Sequence, residues 1–132
     1  MLVEFNSMVG FITRALLFCN AEVDALGVKD ITTYEELEKV KKNRFTLVDF
    51  SAPWCAPCRL QEPIIHQLAE QFQGRVFVAA MNIDQSRGNM AWNMGIHSIP
   101  TLIIFENGKE IQRFIGLQSK TTLSDALKKL LC

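Results

Sequence analysis

The stretch Val76 to Ile83, VFVAAMNI, carries a single polar side chain, Asn82. A strand on a surface sheet alternates apolar with polar residues, whereas one covered on both faces reads as a continuous apolar run. In a chain of 132 residues such a strand needs helices on both sides of it, the architecture that βαβ crossovers build around a largely parallel sheet. We expect this strand at the centre of the sheet. The segments around it alternate accordingly. Leu26 to Ile31 is a short strand candidate, Thr33-Tyr34-Glu35-Glu36 is a capping box opening a helix that carries Leu37 and Val40 inward, and Phe45 to Phe50 is rich in strand formers. Leu60, Ile64, Ile65, Leu68, Ala69 and Phe72 then recur at helical spacing up to Gly74, with Pro63 as a kink point. Thr101 to Phe105 and Ile111 to Ile115 flank Asn107-Gly108, a strong hairpin signal, and Thr122 to Leu131 closes with Leu123, Leu127, Leu130 and Leu131 on a helical stripe. The predicted order is βαβαβ followed by ββα.

This pattern occupies one domain, residues 25–132, behind an N-terminal extension, residues 1–24. The domain is large enough to bury a core without disulfide staples. Acidic and basic residues balance at 14 each with no basic stripe, so nucleic acids and anionic membranes find no electrostatic footprint. Four cysteines, Cys19, Cys55, Cys58 and Cys132, are too few and too unevenly placed for a secreted disulfide scaffold. That favours reduced thiols and a cytoplasmic location. Cys19 and Cys132 have no basic or cysteine neighbour and read as spare thiols.

In the extension, Phe5, Val9, Ile12 and Leu16 repeat at helical spacing. This predicts a retained amphipathic helix that packs on the domain or on a second copy, giving a monomer or a weak dimer. A competing signal is the small-x-small sequence Cys19-Asn20-Ala21, which a signal peptidase would accept and which would make the protein periplasmic or otherwise extracytoplasmic. Yet Glu4 precedes the apolar run, no lysine or arginine precedes Ser7, and Arg14 lies mid-run, opposing membrane insertion by roughly 2.5–3.5 kcal/mol. No apolar stretch reaches the length of about 18 residues that a spanning helix needs. The expectation is retention without stable membrane insertion.

Cys55 and Cys58 fall where the strand Phe45 to Phe50 hands over to a helix. Unpaired backbone N–H groups and the positive end of the helix dipole favour negative charge there, and a thiolate is the attacking species in disulfide chemistry. Cys55 is thus the natural nucleophile. Cys58, one turn further in, can reach the same sulfur and displace a reduced product from a mixed disulfide. It must lose a proton to do so, and Asp49, set among Leu47, Val48 and Phe50, is the candidate acceptor. Desolvation in that strand would raise its pKa towards neutrality.

These residues resemble a known family. Val48-Asp49-Phe50, Ala52-Pro53-Trp54-Cys55-Ala56-Pro57-Cys58-Arg59, Pro63, Asn82-Ile83-Asp84, Gly95-Ile96, Ile99-Pro100-Thr101, Phe105-Glu106-Asn107-Gly108 and Gly116 are together similar to the thioredoxins, over about Ala25 to Leu131. The resemblance implies the thioredoxin fold, a central mixed sheet of four to five strands flanked by helices. It also implies a protein-disulfide reductase that cycles through a Cys55–Cys58 disulfide, needs no cofactor or metal, and is recharged by a thioredoxin reductase. By the same likeness Pro100 would be cis and face the cysteines, Ile99 would pair its backbone with an extended target segment, and Trp54, Ile96, Ile115 and Gly116 would form an apolar rim. Ala56 and Pro57, between the cysteines, would touch the target and tune the couple. Two positions depart from the pattern: Ala56 stands where glycine is usual, and Ala80 where many members carry a lysine near the aspartate. Without that cation the pKa of Asp49 is expected to lie higher still.

Other readings compete. A CxxC pair can be half of a zinc site, for which only His66 and His97 remain as partners, neither at ligand spacing; solvent-side or satisfied histidines are their plainer reading. Asp49 could sit on the solvent face of an edge strand, Pro100 could be only a strand breaker, and Trp54 and Ile99 could be core packing. The fold could also serve an exported thiol–disulfide exchange enzyme, whether oxidase, isomerase or cytochrome-maturation reductase, or a binding module without redox turnover. Intact Cys55 and Cys58 argue against the last, since a scaffold has no chemical need of them.

Overall fold

Side chains along a strand point alternately to its two faces, and in Phe45–Ser51 (β2) both faces are buried. The computed structural model describes residues 27–85 and 90–131. Within them β2 is the middle of a five-stranded sheet in the order β1-β3-β2-β4-β5, where β1 is Val28–Ile31, β3 Phe77–Asn82, β4 Thr101–Glu106 and β5 Lys109–Ile115. β3 runs parallel to both β1 and β2, while β4 lies antiparallel to β2 and to β5. The expectation that the apolar run would take the centre is corrected: β3 is an interior strand one place away. An apolar run reports cover on both faces, which any interior strand has, and not its rank in the sheet.

The helices are α1 (Tyr34–Val40), α2 (Ala56–Gln71), α3 (Met90–Asn93) and α4 (Lys120–Leu130). The capping box opens α1 as expected: Thr33 Oγ1 accepts the Glu36 N–H at 3.1 Å, and the Glu36 carboxylate accepts the Thr33 N–H in return. α2 runs through Pro63. α3 was not anticipated, because a single turn is too short to show a hydrophobic period. α4 starts earlier than the apolar stripe suggested, on the Ser119 cap. Asn107-Gly108 does form the two-residue hairpin loop, with φ of 51° and 90°, the pair of positive values that a type I′ turn demands and that asparagine and glycine tolerate. Among the described residues no helix is long and apolar enough to cross a membrane.

Two cores follow from the alternation. Phe45 and Leu47 of β2, Val78 of β3, and Leu102 and Ile104 of β4 face α2 and α4, meeting Ile65, Leu68, Phe72, Leu123 and Leu127. Val48 and Phe50, with Ala79, Met81, Ile103 and Phe105, face the other way, towards Leu37 and Val40 of α1 and Met90 of α3. Asp49 continues the first series, in the place where a third apolar side chain of β2 would meet α2. The inward stripe of α2 differs in one respect from its reading in the sequence. Leu60 is 63% exposed, whereas Gln61 is 0% exposed, since the buried positions 58, 61, 65, 68, 69 and 72 follow the helical period through the glutamine. Its amide is satisfied there: Gln61 Nε2 donates to the Gln118 carbonyl at 3.1 Å, and the Gln118 N–H donates to Gln61 Oε1 at 2.7 Å. The extension 1–24, Cys19 and Cys132 lie outside the described residues.

Candidate active site

β2 ends at Ser51, and the chain turns through Ala52 to Trp54 before α2 begins at Ala56. Cys55 is the N-cap of that helix, in extended conformation with φ −88° and ψ 113°, and its Sγ accepts the Cys58 N–H at 3.3 Å. The sulfur therefore takes the place a serine or aspartate oxygen holds in an ordinary cap, where the helix offers its unpaired donors. Pro57 in the first turn has no N–H to leave unsatisfied. Cys55 and Cys58 are joined as a disulfide with their Cα atoms 5.2 Å apart. Both are buried, while Ala56 and Pro57 between them are exposed.

A second segment meets the first from across the sheet. The Ile99–Pro100 bond is cis, and the Ile99 carbonyl oxygen lies 3.8 Å from Cys55 Sγ. A disulfide sulfur carries no proton, so this is an approach of acceptor to sulfur and not a hydrogen bond. The Gly116 N–H donates to the Pro100 carbonyl at 2.8 Å, and Ile115 pairs with Thr101 in the ladder, which sets both beside the cis bond. Ile115 and Trp54 are exposed; the Trp54 indole N–H donates to Asp84 Oδ2 at 2.7 Å, which holds the ring on the surface and removes the core-packing reading. Ile96 is only 6% exposed and belongs to the core beneath α1, so it supports this region from below and adds no surface to it.

Asp49 stands behind the cysteines. It is 3% exposed, on the middle strand and not an edge strand, and its Oδ1 has no hydrogen-bond partner among the described residues. Burial, reinforced by the charge of Glu62, pushes its carboxyl up to about 7. An open pocket of about 370 Å³ joins it to Cys58, with Asp30, Arg59, Glu62, His66 and Ala80 also in the wall. The small side chain of Ala80, directly opposite Asp49 in the β2–β3 ladder, leaves that space open.

Two residues of interest went unremarked in the sequence, and one was placed on the wrong face. Glu62 signals nothing until α2 is known to lie on the Asp49 face. Trp92 is exposed and meets His97 edge-on, ring centroids 4.0 Å apart, two residues before Ile99; an aromatic residue in a segment without periodicity gave no indication of its exposure. Leu60, expected in the core stripe, is instead an exposed apolar side chain at the start of α2. Among the described residues no group of three or more His, Cys, Asp or Glu side chains could hold a metal ion, and His66 and His97 are both exposed.

Comparison with known proteins places this geometry. The family model described as Thioredoxin matches residues 27–129. The chain is 35% identical over 131 residues to the chloroplastic thioredoxin M-type of Brassica napus, covering 98% of this chain and 73% of that protein. It is 45% identical over 85 residues to the thioredoxin of a Synechocystis species, covering 64% of this chain and 78% of the relative. Among solved structures, a mutant thioredoxin from Halobacterium salinarum superposes with a TM-score of 0.73 at 30% identity, over 80% of this chain and 92% of that one.

Proposed function

The chain belongs to the thioredoxin family and is a thiol–disulfide oxidoreductase acting on protein disulfides, and from that premise we propose that Cys55 attacks the target, Cys58 resolves the mixed disulfide and Asp49 is the proton acceptor. In the reduced protein the Cys55 thiolate is stabilised at the helix N-terminus by the Cys58 N–H and the helix dipole. It attacks one sulfur of the target disulfide and expels the other as a thiolate, leaving target and Cys55 joined. Cys58 gives its proton to Asp49, and its thiolate attacks Cys55 Sγ; the Cys55–Cys58 bond forms as the bond to the target breaks. The product is the bonded pair seen in the structure.

In this reading the exposed surface around the pair receives the target. Ile99 offers backbone to an extended segment beside Cys55, Pro100 and Gly116 hold that backbone in place, and Trp54, Ala56, Pro57 and Ile115 supply contact, with Ile96 beneath. The electron donor is a thioredoxin reductase and the site of action a reducing one, the cytoplasm, which the cysteine usage supports. The observation that carries the proposal is the Cys55 sulfur seated as helix cap, with the Ile99 carbonyl on one side and Cys58 on the other. The thioredoxin relatives favour this over an exported exchange enzyme, and the disulfide favours it over a module without turnover.

Insulin reduction with dithiothreitol as donor tests the roles of the sulfurs. Cys55→Ser should abolish turnover, and Cys58→Ser should accumulate a mixed disulfide through Cys55 because the displacing thiol is gone. A Cys58→Ser protein that turns over normally, beside a Cys55→Ser protein that traps the complex, would reverse the assignment.

A further inference from the structure

Cys58, Glu62 and His66 occur four residues apart in turn on α2, so they form one row along the helix from a buried sulfur to solvent. His66 Nε2 lies 3.9 Å from Glu62 Oε1, and both side chains are largely exposed. All three line the pocket of about 370 Å³ that reaches Asp49, whose Oδ1 is buried without a partner among the described residues. At about 30 Å³ for a water molecule, such a space has room for several. The pocket thus connects the proton-accepting carboxylate to bulk solvent along the Glu62 side.

The resolving step obliges a proton to travel this way. Cys58–SH and the Asp49 carboxylate become a thiolate and a carboxylic acid, and the thiolate displaces the target from Cys55. The target leaves as a thiolate and is protonated by water. Asp49 must then lose its proton before it can serve again, and its neighbours decide where that proton goes. From β1, Asp30 stands in the row Asp30–Ala80–Asp49, two strand spacings or about 10 Å away. β3 contributes Ala80 and Asn82, and β4 places Leu102 opposite, none of them titratable. From α2 come Cys58, Arg59, Glu62 and His66. Of these, Glu62 is the carboxylate on the same helix row as the sulfur that gives up the proton.

We propose that Glu62 is a positioning residue for the resolving step, holding on Asp49 the proton that Cys58 gives up and opening the route by which it returns to solvent past His66. The inference rests on Asp49 as proton acceptor. The negative charge of Glu62 acts on Asp49 in the same direction as burial, making it a stronger base for the thiol. A stronger base takes the proton more completely, and an exposed carboxylate at the pocket mouth then draws it outward.

The full-length reduced protein is mixed with insulin, and resolution of the mixed disulfide is followed by rapid acid quench between about pH 5 and 9, in parallel with an NMR titration of the Asp49 carboxyl carbon. Resolution in the wild type should rise with pH through the Asp49 ionisation. Glu62→Gln should move that midpoint to lower pH by about half a unit, the effect of one partly solvated charge across a pocket, and lower the plateau roughly twofold because Asp49 becomes a weaker base. Glu62→Asp, which keeps the charge, should restore both. The inference is overturned if Glu62→Gln leaves the kinetic midpoint and the carboxyl titration where they were, or if Glu62→Asp moves them equally. A wild-type profile that Asp49→Asn reproduces unchanged would instead remove Asp49 as acceptor, and the inference with it.

Discussion

Asp49 is the residue whose chemistry and cost are easiest to separate. Its carboxyl ionises near 7 in the fold against 3.8 in an unperturbed chain, so between those values the folded state binds the extra proton. Stability then falls as pH rises across that window, the reverse of a carboxylate held by a salt bridge, and the loss is complete above about pH 7, approaching 4 kcal/mol for a shift of roughly 3 units. Asp49→Asn should accordingly be more stable than wild type near pH 8, with the advantage shrinking towards pH 4, as urea denaturation at the two ends would measure. A constant difference at all pH values would mean that the carboxyl does not titrate in the fold as described. The same variant should resolve mixed disulfides more slowly, by up to the ~10²–10⁴-fold that general acid–base catalysis supplies. Stopped-flow rates equal to wild type from about pH 6 to 9 would remove the role. One charge inside an apolar strand was enough to find this residue in the sequence, because burial of such a charge needs a reason. Glu62 could not be found so, since its meaning depends on which helix face meets which sheet face.

Periodicity served some elements well and others badly. The strands and the capping box were legible because alternation, β-branched content and Thr-x-x-Glu are local signals. In α2 the same reasoning chose Leu60 over Gln61, since a period built on hydrophobic residues alone passes over an amide. What holds Gln61 inside is a pair of hydrogen bonds to Gln118 at the start of the turn into α4, a contact 57 residues away in the chain. Polarity therefore misranks the two positions, and mutation should show it. Gln61→Ala should cost about 2–4 kcal/mol, combining a cavity with two backbone groups of Gln118 left unpaired. Leu60→Ala should stay within about 0.5 kcal/mol of wild type, as surface substitutions do. Urea midpoints at matched m-values decide it, and a costlier Leu60→Ala than Gln61→Ala would contradict the packing of this helix.

Across the whole molecule, what the sequence concealed was strand order, because the rank of a strand depends on partners distant in the chain. β3 and β2 are both covered on two faces and both send side chains into the two cores, yet only β2 joins the parallel half of the sheet to the antiparallel half. Opening β2 exposes both cores at once, whereas β5 is an edge strand whose residues are mostly exposed. Local opening free energies should differ in the same sense. Native-state hydrogen exchange should find the slowest amides in β2 and in the strands β3 and β4 that pair with it, exchanging only on global unfolding, while amides of β5 that face solvent and those of α3 exchange through smaller openings. The site depends on this gradient. Asp49 belongs to β2, Cys55 follows it by a short turn, and Ile99 and Pro100 enter β4 directly, so the three parts are anchored to the two strands at the heart of the sheet. A thiol cycle that makes and breaks a bond at Cys55 then leaves the supporting strands in register, and β2 protection should be the same in the reduced and oxidised proteins to within the change in global stability. If β2 amides exchanged as fast as those of β5 in either redox state, the site would not be held by the sheet in the way these contacts require.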